Sequence, residues 1–249
     1  MQPHSRPFNP FTLASSLKEI VCKDSMMKYT AFYRSGIRGG VSTGYAAGCS
    51  LRCVFCCVDR SRDNPENYGR FYTPEEAFEE LMKNANIKGV KRLRLSGGEP
   101  TICREHLFSV IDLIQDKDAI MTLETNGLLL GADEGYVQHL SSYNQFHIRV
   151  SVKAGSPESF ERITGANAEF FELPFLAITY MIKHKLSFHV ASMTDPRIMS
   201  AAEKESLFKR LHDAGYKDFL EEETCDAYPE TTQRLKEAGL NIFSEEWIA

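Results

Sequence analysis

The stretch Gly48-Cys49-Ser50-Leu51-Arg52-Cys53-Val54-Phe55-Cys56-Cys57 organises the reading of the whole chain. Cys49, Cys53 and Cys56 stand at spacings of four and three, and a compact loop with that spacing can turn three sulfurs toward one face. Thiolates are soft ligands that suit iron–sulfur clusters or zinc. A complete zinc knuckle or a closed four-iron cube takes four ligands, and this run offers three. Cys57 adjoins Cys56, where neighbouring side chains diverge, so it is not expected to reach the same cluster. Three thiolates on a four-iron cube would leave one iron open to bind something else.

Outward from this loop the chain alternates between strand and helix periodicities. A strand over Val41 to Ala46 runs into the loop, and Thr73-Pro74-Glu75-Glu76 then opens a helix reaching about Asn84. Thr73 stands as N-cap, Pro74 as first helical residue and Glu76 as the partner in a capping box. Further strands are expected over Val90 to Ser96, Ile120 to Thr125, Phe146 to Val152, Ser187 to Met193 and Lys217 to Glu221. Between and after them come helices over Arg104 to Asp116, Glu134 to Ser142, Pro157 to Ile163, Leu173 to His184, Ala201 to Asp213 and Pro229 to Ala238. The first of these buries Leu107, Val110, Ile111 and Ile114 on one side. Six strand–helix units in alternation argue for a parallel sheet with helices outside, and six are too few for a complete eight-stranded barrel. The expected fold is therefore α/β, a partial six-unit (β/α)6 TIM-like barrel over 41–223. Residues 1–40 read as an extension, with prolines at 3, 7 and 10 and a short helix between Thr12 and Met27, and residues 224–249 as a C-terminal helix and tail.

The run Cys49-x3-Cys53-x-Phe55-Cys56 resembles the signature of the radical S-adenosylmethionine enzymes, whose core is a partial barrel of this kind. The resemblance implies a [4Fe–4S] cluster on Cys49, Cys53 and Cys56, with the open iron chelating the methionine part of S-adenosylmethionine. It implies that the cluster donates an electron, breaks a carbon–sulfur bond and yields a 5′-deoxyadenosyl radical that abstracts a substrate hydrogen. Phe55 would pack near the adenine. The strand end Ser96-Gly97-Gly98-Glu99-Pro100 resembles the family's Gly-Gly-Glu-Pro motif, which would bring Gly97, Gly98 and Glu99 to the cofactor's ammonium group. Thr125-Asn126-Gly127 resembles the Thr-Asn-Gly near the ribose and the methionine part. Ser151 and Lys153 resemble the Asp-x-Lys of glycyl-radical activating enzymes, with serine in place of aspartate, and Lys153 would meet the cofactor carboxylate. By strand parity His189 turns inward as a further cofactor contact. The nearest architectural likeness is to those activating enzymes. A small-molecule, protein or RNA modifier is the second enzymatic reading, and an iron–sulfur or zinc partner subunit without turnover is the reading from another class.

Composition narrows the class. The 249 residues are 43% hydrophobic, enough for a sizeable core, and carry a formal net charge of −5 that argues against nucleic-acid binding by bulk electrostatics. No apolar run approaches the roughly 18 residues needed to span a bilayer. Seven cysteines, unevenly placed, do not read as a disulfide framework, and Cys22, Cys103 and Cys225 are scattered, with no second triplet. A reducing cytoplasm follows, which an oxygen-sensitive cluster also requires. Arg34, Arg38, Arg52, Arg60, Arg62 and Arg70 against Asp59, Asp63 and Glu66 form either a solvated mixed loop or a docking face for an acidic one-electron donor of flavodoxin or ferredoxin type. Strand parity turns Arg92, Arg94 and Arg149 into the lumen. They either pair with Glu124, Glu221 and Glu223 or grip an anionic substrate, the other candidate substrate being an extended protein segment.

Overall fold

The computed structural model describes residues 7–36, 40–87 and 89–243. In chain order the regular elements are α1 (Pro10–Val21), β1 (Cys22–Lys23), β2 (Met26–Ser35), β3 (Val41–Ala46), β4 (Arg70–Tyr72), α2 (Pro74–Asn86), β5 (Arg92–Gly97), α3 (Arg104–Ile114) and β6 (Ile120–Thr125). They continue as α4 (Leu128–Ala132), α5 (Glu134–Leu140), β7 (Phe146–Val152), α6 (Pro157–Thr164), α7 (Leu173–Lys183), β8 (Phe188–Met193), α8 (Ala201–Asp213), β9 (Leu220–Glu223) and α9 (Pro229–Glu237). One sheet runs in the order β1-β2-β3-β5-β6-β7-β8-β9, with β4 pairing β2. From β3 through β9 all neighbours are parallel, so the expected six-strand α/β partial barrel is present as an open, mostly parallel sheet.

Strand parity sorts the two faces. Leu93, Leu95, Met121, Leu123, Ile148, Val150 and Val190 are fully buried on the helix side, where Leu107, Val110, Ile111 and Ile114 of α3 are also fully buried. Each such side chain contributes about 1.5–3 kcal/mol over leaving it in water. The helix starts follow local chemistry. Thr73 and Glu76 form the reciprocal capping box read from sequence, and Ser156 and Ser200 cap α6 and α8 through their hydroxyls.

Several elements depart from the sequence reading. The expected helix between Thr12 and Met27 ends at Val21, and the chain then turns into β2, which lies antiparallel to β3 and adds to the sheet ahead of residue 41. Tyr29 of β2 is buried and its hydroxyl meets His106 Nε2 of α3 at 3.0 Å, which ties the added strand to the core. The last strand is Leu220–Glu223 rather than 217–221. Cys22 and Cys103, read as scattered, are joined in a disulfide with Cα atoms 5.7 Å apart, because the α1–β1 junction and the start of α3 pack together. Among the described residues no helix is long and apolar enough to cross a membrane.

Candidate active site

The cysteine loop leaves the C-terminal end of β3 and is fixed by backbone bonds before any side chain is considered. Gly48 N donates to Ser61 O at 3.0 Å, while Arg52 N and Val54 N donate to the carbonyls of Thr164 and Ile163 at the end of α6 at 2.9 and 3.0 Å. Cys49, Cys53 and Cys56 are free thiols, Cys53 buried and the other two half-buried, whereas Cys57 is exposed. Burial pushes the Cys49 thiol up to about 12, and the neighbouring Glu99 and Cys53 charges add to the effect. Cys53 is likewise raised by burial, while Lys153 works against the shift.

Two other strand ends press against this loop. Gly98 N donates to Ala46 O at 2.7 Å and Glu99 N to Gly48 O at 2.8 Å. A Cβ on Gly98 would stand 1.9 Å from Gly48 O, and Gly97 holds φ at +94°, so neither position accepts a side chain. Glu99 is 1% exposed. Its Oε1 accepts from the hydroxyls of Thr101 and Thr125 at 2.6 and 2.7 Å, and its Oε2 from Asn126 N at 2.8 Å. The Asn126 side chain continues the chain of contacts to Ser50 Oγ at 3.4 Å and Cys49 Sγ at 4.0 Å. Gly97, Gly98, Glu99, Thr125 and Asn126 are thus gathered at the cysteine loop, as the sequence pattern anticipated. The Glu99 carboxylate, however, lies beneath the surface and is occupied by internal donors, while Gly97 and Gly98 are half-buried.

Lys153, just past β7, donates to Ser151 Oγ at 2.5 Å and stands 5.9 Å from the centre of the Phe55 ring. No carboxylate of the described residues lies within ion-pair distance of its ammonium. The other inward cations differ. Arg94 pairs with Glu124 at 3.0 Å and donates to Thr43 Oγ1 at 3.0 Å, while Arg149 bridges Glu221 at 2.9 Å and Glu223 at 2.6 Å. Arg92 sits exposed at the start of β5. Arg94 and Arg149 are therefore matched by internal carboxylates, which is the pairing alternative of the sequence reading, and their charge gives no separate argument for an anionic ligand. His189 is corrected. It lies near the N-terminal end of β8, in register with Arg149 of β7, and is held between His147 Nε2 at 2.7 Å and Glu221 Oε2 at 2.8 Å, so internal partners occupy both of its ring nitrogens.

Sequence reasoning missed the arginines that hold the loop. Arg52 and Arg62 belong to its interior and not to an exposed basic face, and Arg234 arrives from α9, far along the chain. Only their chemistry as bidentate donors could have flagged them; nothing in the spacing pairs residue 234 with residue 56.

A family model described as the Radical SAM superfamily matches residues 45–218, well over half of the chain. The fold and the loop define a radical S-adenosylmethionine protein, and the chain belongs to that superfamily. A Methanococcus maripaludis protein named as a probable GTP 3′,8-cyclase is 32% identical over 117 residues, covering 46% of this chain and 37% of that protein. A Methanocaldococcus jannaschii protein of the same name is 34% identical over 113 residues, covering 44% and 35%. The chain therefore matches little more than a third of the length of these curated relatives. Among solved structures, anSMEcpe with bound AdoMet aligns at a TM-score of 0.54 and 22% identity over 72% of this chain and 48% of that one. Streptococcus suis SuiB bound to precursor peptide SuiA aligns at 0.58 and 16% over 83% and 46%. These two likenesses concern the fold.

The chain accordingly belongs to a superfamily of enzymes whose cofactors are a [4Fe–4S] cluster and S-adenosylmethionine. The residues present fit both groups. Three free thiols on one loop supply the soft donor set, and Gly97 and Gly98, by lacking side chains, let their strand end pack directly on the Ala46–Gly48 backbone that carries it. Among the described residues no group of three or more His, Cys, Asp or Glu is gathered closely enough for a single metal ion. A four-iron cube makes no such demand, because each thiolate binds a different iron.

Proposed function

We propose that this chain cleaves S-adenosylmethionine reductively and uses the resulting 5′-deoxyadenosyl radical to abstract hydrogen from a substrate held at the mouth of the partial barrel. The observation that carries this reading is the meeting of three strand ends at one loop: Gly98 and Glu99 against Ala46 and Gly48, Asn126 against Ser50, and Lys153 beside Phe55. Cys49, Cys53 and Cys56 would hold the cluster. Its chemistry, when bound, is to supply the single electron that the cleavage needs. Gly97 and Gly98 would offer backbone carbonyls to the cofactor's ammonium group, with Glu99 positioning them and Asn126 from below. Lys153, free of any described carboxylate, would take the cofactor carboxylate, and Ser151 orients its ammonium. Phe55 would face the adenine.

A carbon-functionalising modifier is favoured over a glycyl-radical activating enzyme. Ser151 stands where the activating branch resembles Asp-x-Lys, and the curated relatives named as cyclases support a small polar substrate. The electron donor would be an acidic flavodoxin- or ferredoxin-type protein meeting the exposed Arg60 and Arg70; Arg38 lies outside the described residues. An oxygen-sensitive cluster supports a cytoplasmic setting.

Anaerobic reconstitution with iron and sulfide, followed by dithionite and S-adenosylmethionine, tests the reading. Release of 5′-deoxyadenosine is expected. A fully reconstituted cluster that leaves the cofactor intact would contradict it.

A further inference from the structure

Three guanidinium groups converge on the backbone of the cysteine loop. Arg52 donates to the carbonyls of Cys49 at 2.5 Å and Leu51 at 3.0 Å. Arg62 donates to Cys53 O at 2.7 Å. Arg234 donates to Cys56 O at 2.7 Å, to Val58 O and to Asp59 O at 3.1 Å. The carbonyl of each of the three spaced cysteines therefore accepts from a different arginine. All three arginines also meet one carboxylate. Asp63 pairs with Arg52 at 3.0 Å, with Arg62 through both oxygens at 2.9 Å, and with Arg234 at 3.0 Å. The side chains of Arg52, Arg62, Arg234 and Asp63 are only 11, 6, 12 and 17% exposed.

Three buried cations with one anion leave positive charge uncompensated, and burying such an excess is costly unless something negative comes beside it. A cluster carried by three thiolates is that negative partner, and it grows more negative on reduction. Nearby buried charge is weakly screened, so it biases the reduced against the oxidised form. We propose that Arg52, Arg62 and Arg234, joined by Asp63, form a cationic cradle that raises the reduction potential of the cluster and makes its retention depend on α9. The inference rests on the reading that Cys49, Cys53 and Cys56 carry a four-iron cluster. The arginines are positioning residues: they touch the carbonyls of the ligand loop, not the cofactor.

The test uses anaerobically reconstituted protein and its Arg234→Gln, Arg234→Lys and Asp63→Asn variants. Each is titrated potentiometrically with the reduced cluster followed by electron paramagnetic resonance, and each is challenged separately with an iron chelator. Arg234→Gln is expected to move the midpoint to more negative potential and to speed iron loss. Arg234→Lys should keep the parent midpoint yet lose iron faster, because one ammonium cannot span the carbonyls of Cys56, Val58 and Asp59. Asp63→Asn removes the sole anion of the group and should move the midpoint the opposite way. Midpoints that stay unmoved, or that shift in the same direction for Arg234→Gln and Asp63→Asn, overturn the cradle. So does a lysine variant that shares the glutamine variant's midpoint. If Arg234→Gln takes up no iron, the sign of the Asp63→Asn shift decides alone. A parent protein that takes up no cluster removes the underlying reading as well; a normal parent cluster with unmoved variants removes only the cradle.

Discussion

The cysteine loop and the barrel lumen are both built on buried arginine, but they balance charge in opposite ways. In the lumen, Arg94 and Arg149 meet Glu124, Glu221 and Glu223, so each guanidinium has at least one carboxylate of its own. At the loop, Arg52, Arg62 and Arg234 share Asp63 alone. A polar interior that closes on itself needs no ligand, whereas one left with excess positive charge is completed by something negative. The contrast separates two kinds of buried ion that look alike in sequence. The lumen ladder joins β5 to β6 and β7 to β9, and the loop network is the one that a cluster on the proposed cysteines would complete.

The largest expected effect tests the loop side. Cys49→Ala, Cys53→Ala or Cys56→Ala should each abolish most of the visible absorption of the reconstituted cluster. Cys57→Ala should keep it, since that thiol is exposed and lies outside the set. Equal loss for Cys57 would mean a different ligand set.

The next effect tests the lumen side. Arg149→Met leaves Glu221 and Glu223 facing each other without their guanidinium, which should cost about 2–4 kcal/mol in chemical denaturation while leaving the cluster spectrum alone. A variant as stable as the parent would show that the ladder is not structural. Lys153→Met is expected to lower S-adenosylmethionine affinity by roughly 1.5–3 kcal/mol, read by equilibrium binding, with no change in the spectrum of the cluster alone. Unchanged affinity would return Lys153 to the surface lysines.

The smallest effect concerns a balanced pair of the lumen kind. Arg197 hydrogen bonds to Asp195 hold that carboxyl at about 2, against an ordinary value of 3.8. The folded state thus binds the proton less readily than the unfolded chain. The resulting stability is fully present above pH 3.8 and is lost as pH falls toward 2. It amounts to no more than about 2 kcal/mol. Comparing acid denaturation of the parent with Asp195→Asn measures it; curves that stay parallel from pH 5 downward would rule out the linkage.

Most of the barrel was legible because its signals are local. β3, β6, β7 and α8 fall at the residues that alternation and capping indicate, and the Thr73–Glu76 box forms as read. β2 was hidden because Met26 and Met27 continue an apolar helical spacing, while its strand character comes from distant partners in β3 and β4. β9 is a run of Leu220-Glu221-Glu222-Glu223 whose alternation carries no apolar contrast, so its bounds were displaced. Gly97, Gly98 and Asn126 were readable from the turns that they make. The Arg234 contacts and the Cys22–Cys103 bridge join residues 178 and 81 positions apart, and no local pattern records such meetings. The pairing of the lumen arginines with Glu124, Glu221 and Glu223 was readable as one of two alternatives, and it is the one that forms for Arg94 and Arg149. Parity says which way an arginine points but not which carboxylate reaches it.

The central claim is that three cysteines hold a four-iron cluster with one iron open to S-adenosylmethionine. Its most direct test is the electron paramagnetic resonance spectrum of the dithionite-reduced, reconstituted protein, recorded with and without the cofactor. The account predicts about four irons per chain and a reduced-cluster signal whose shape changes when S-adenosylmethionine is added. A full cluster whose signal is indifferent to saturating cofactor would mean that all its irons are already ligated, and would contradict the account.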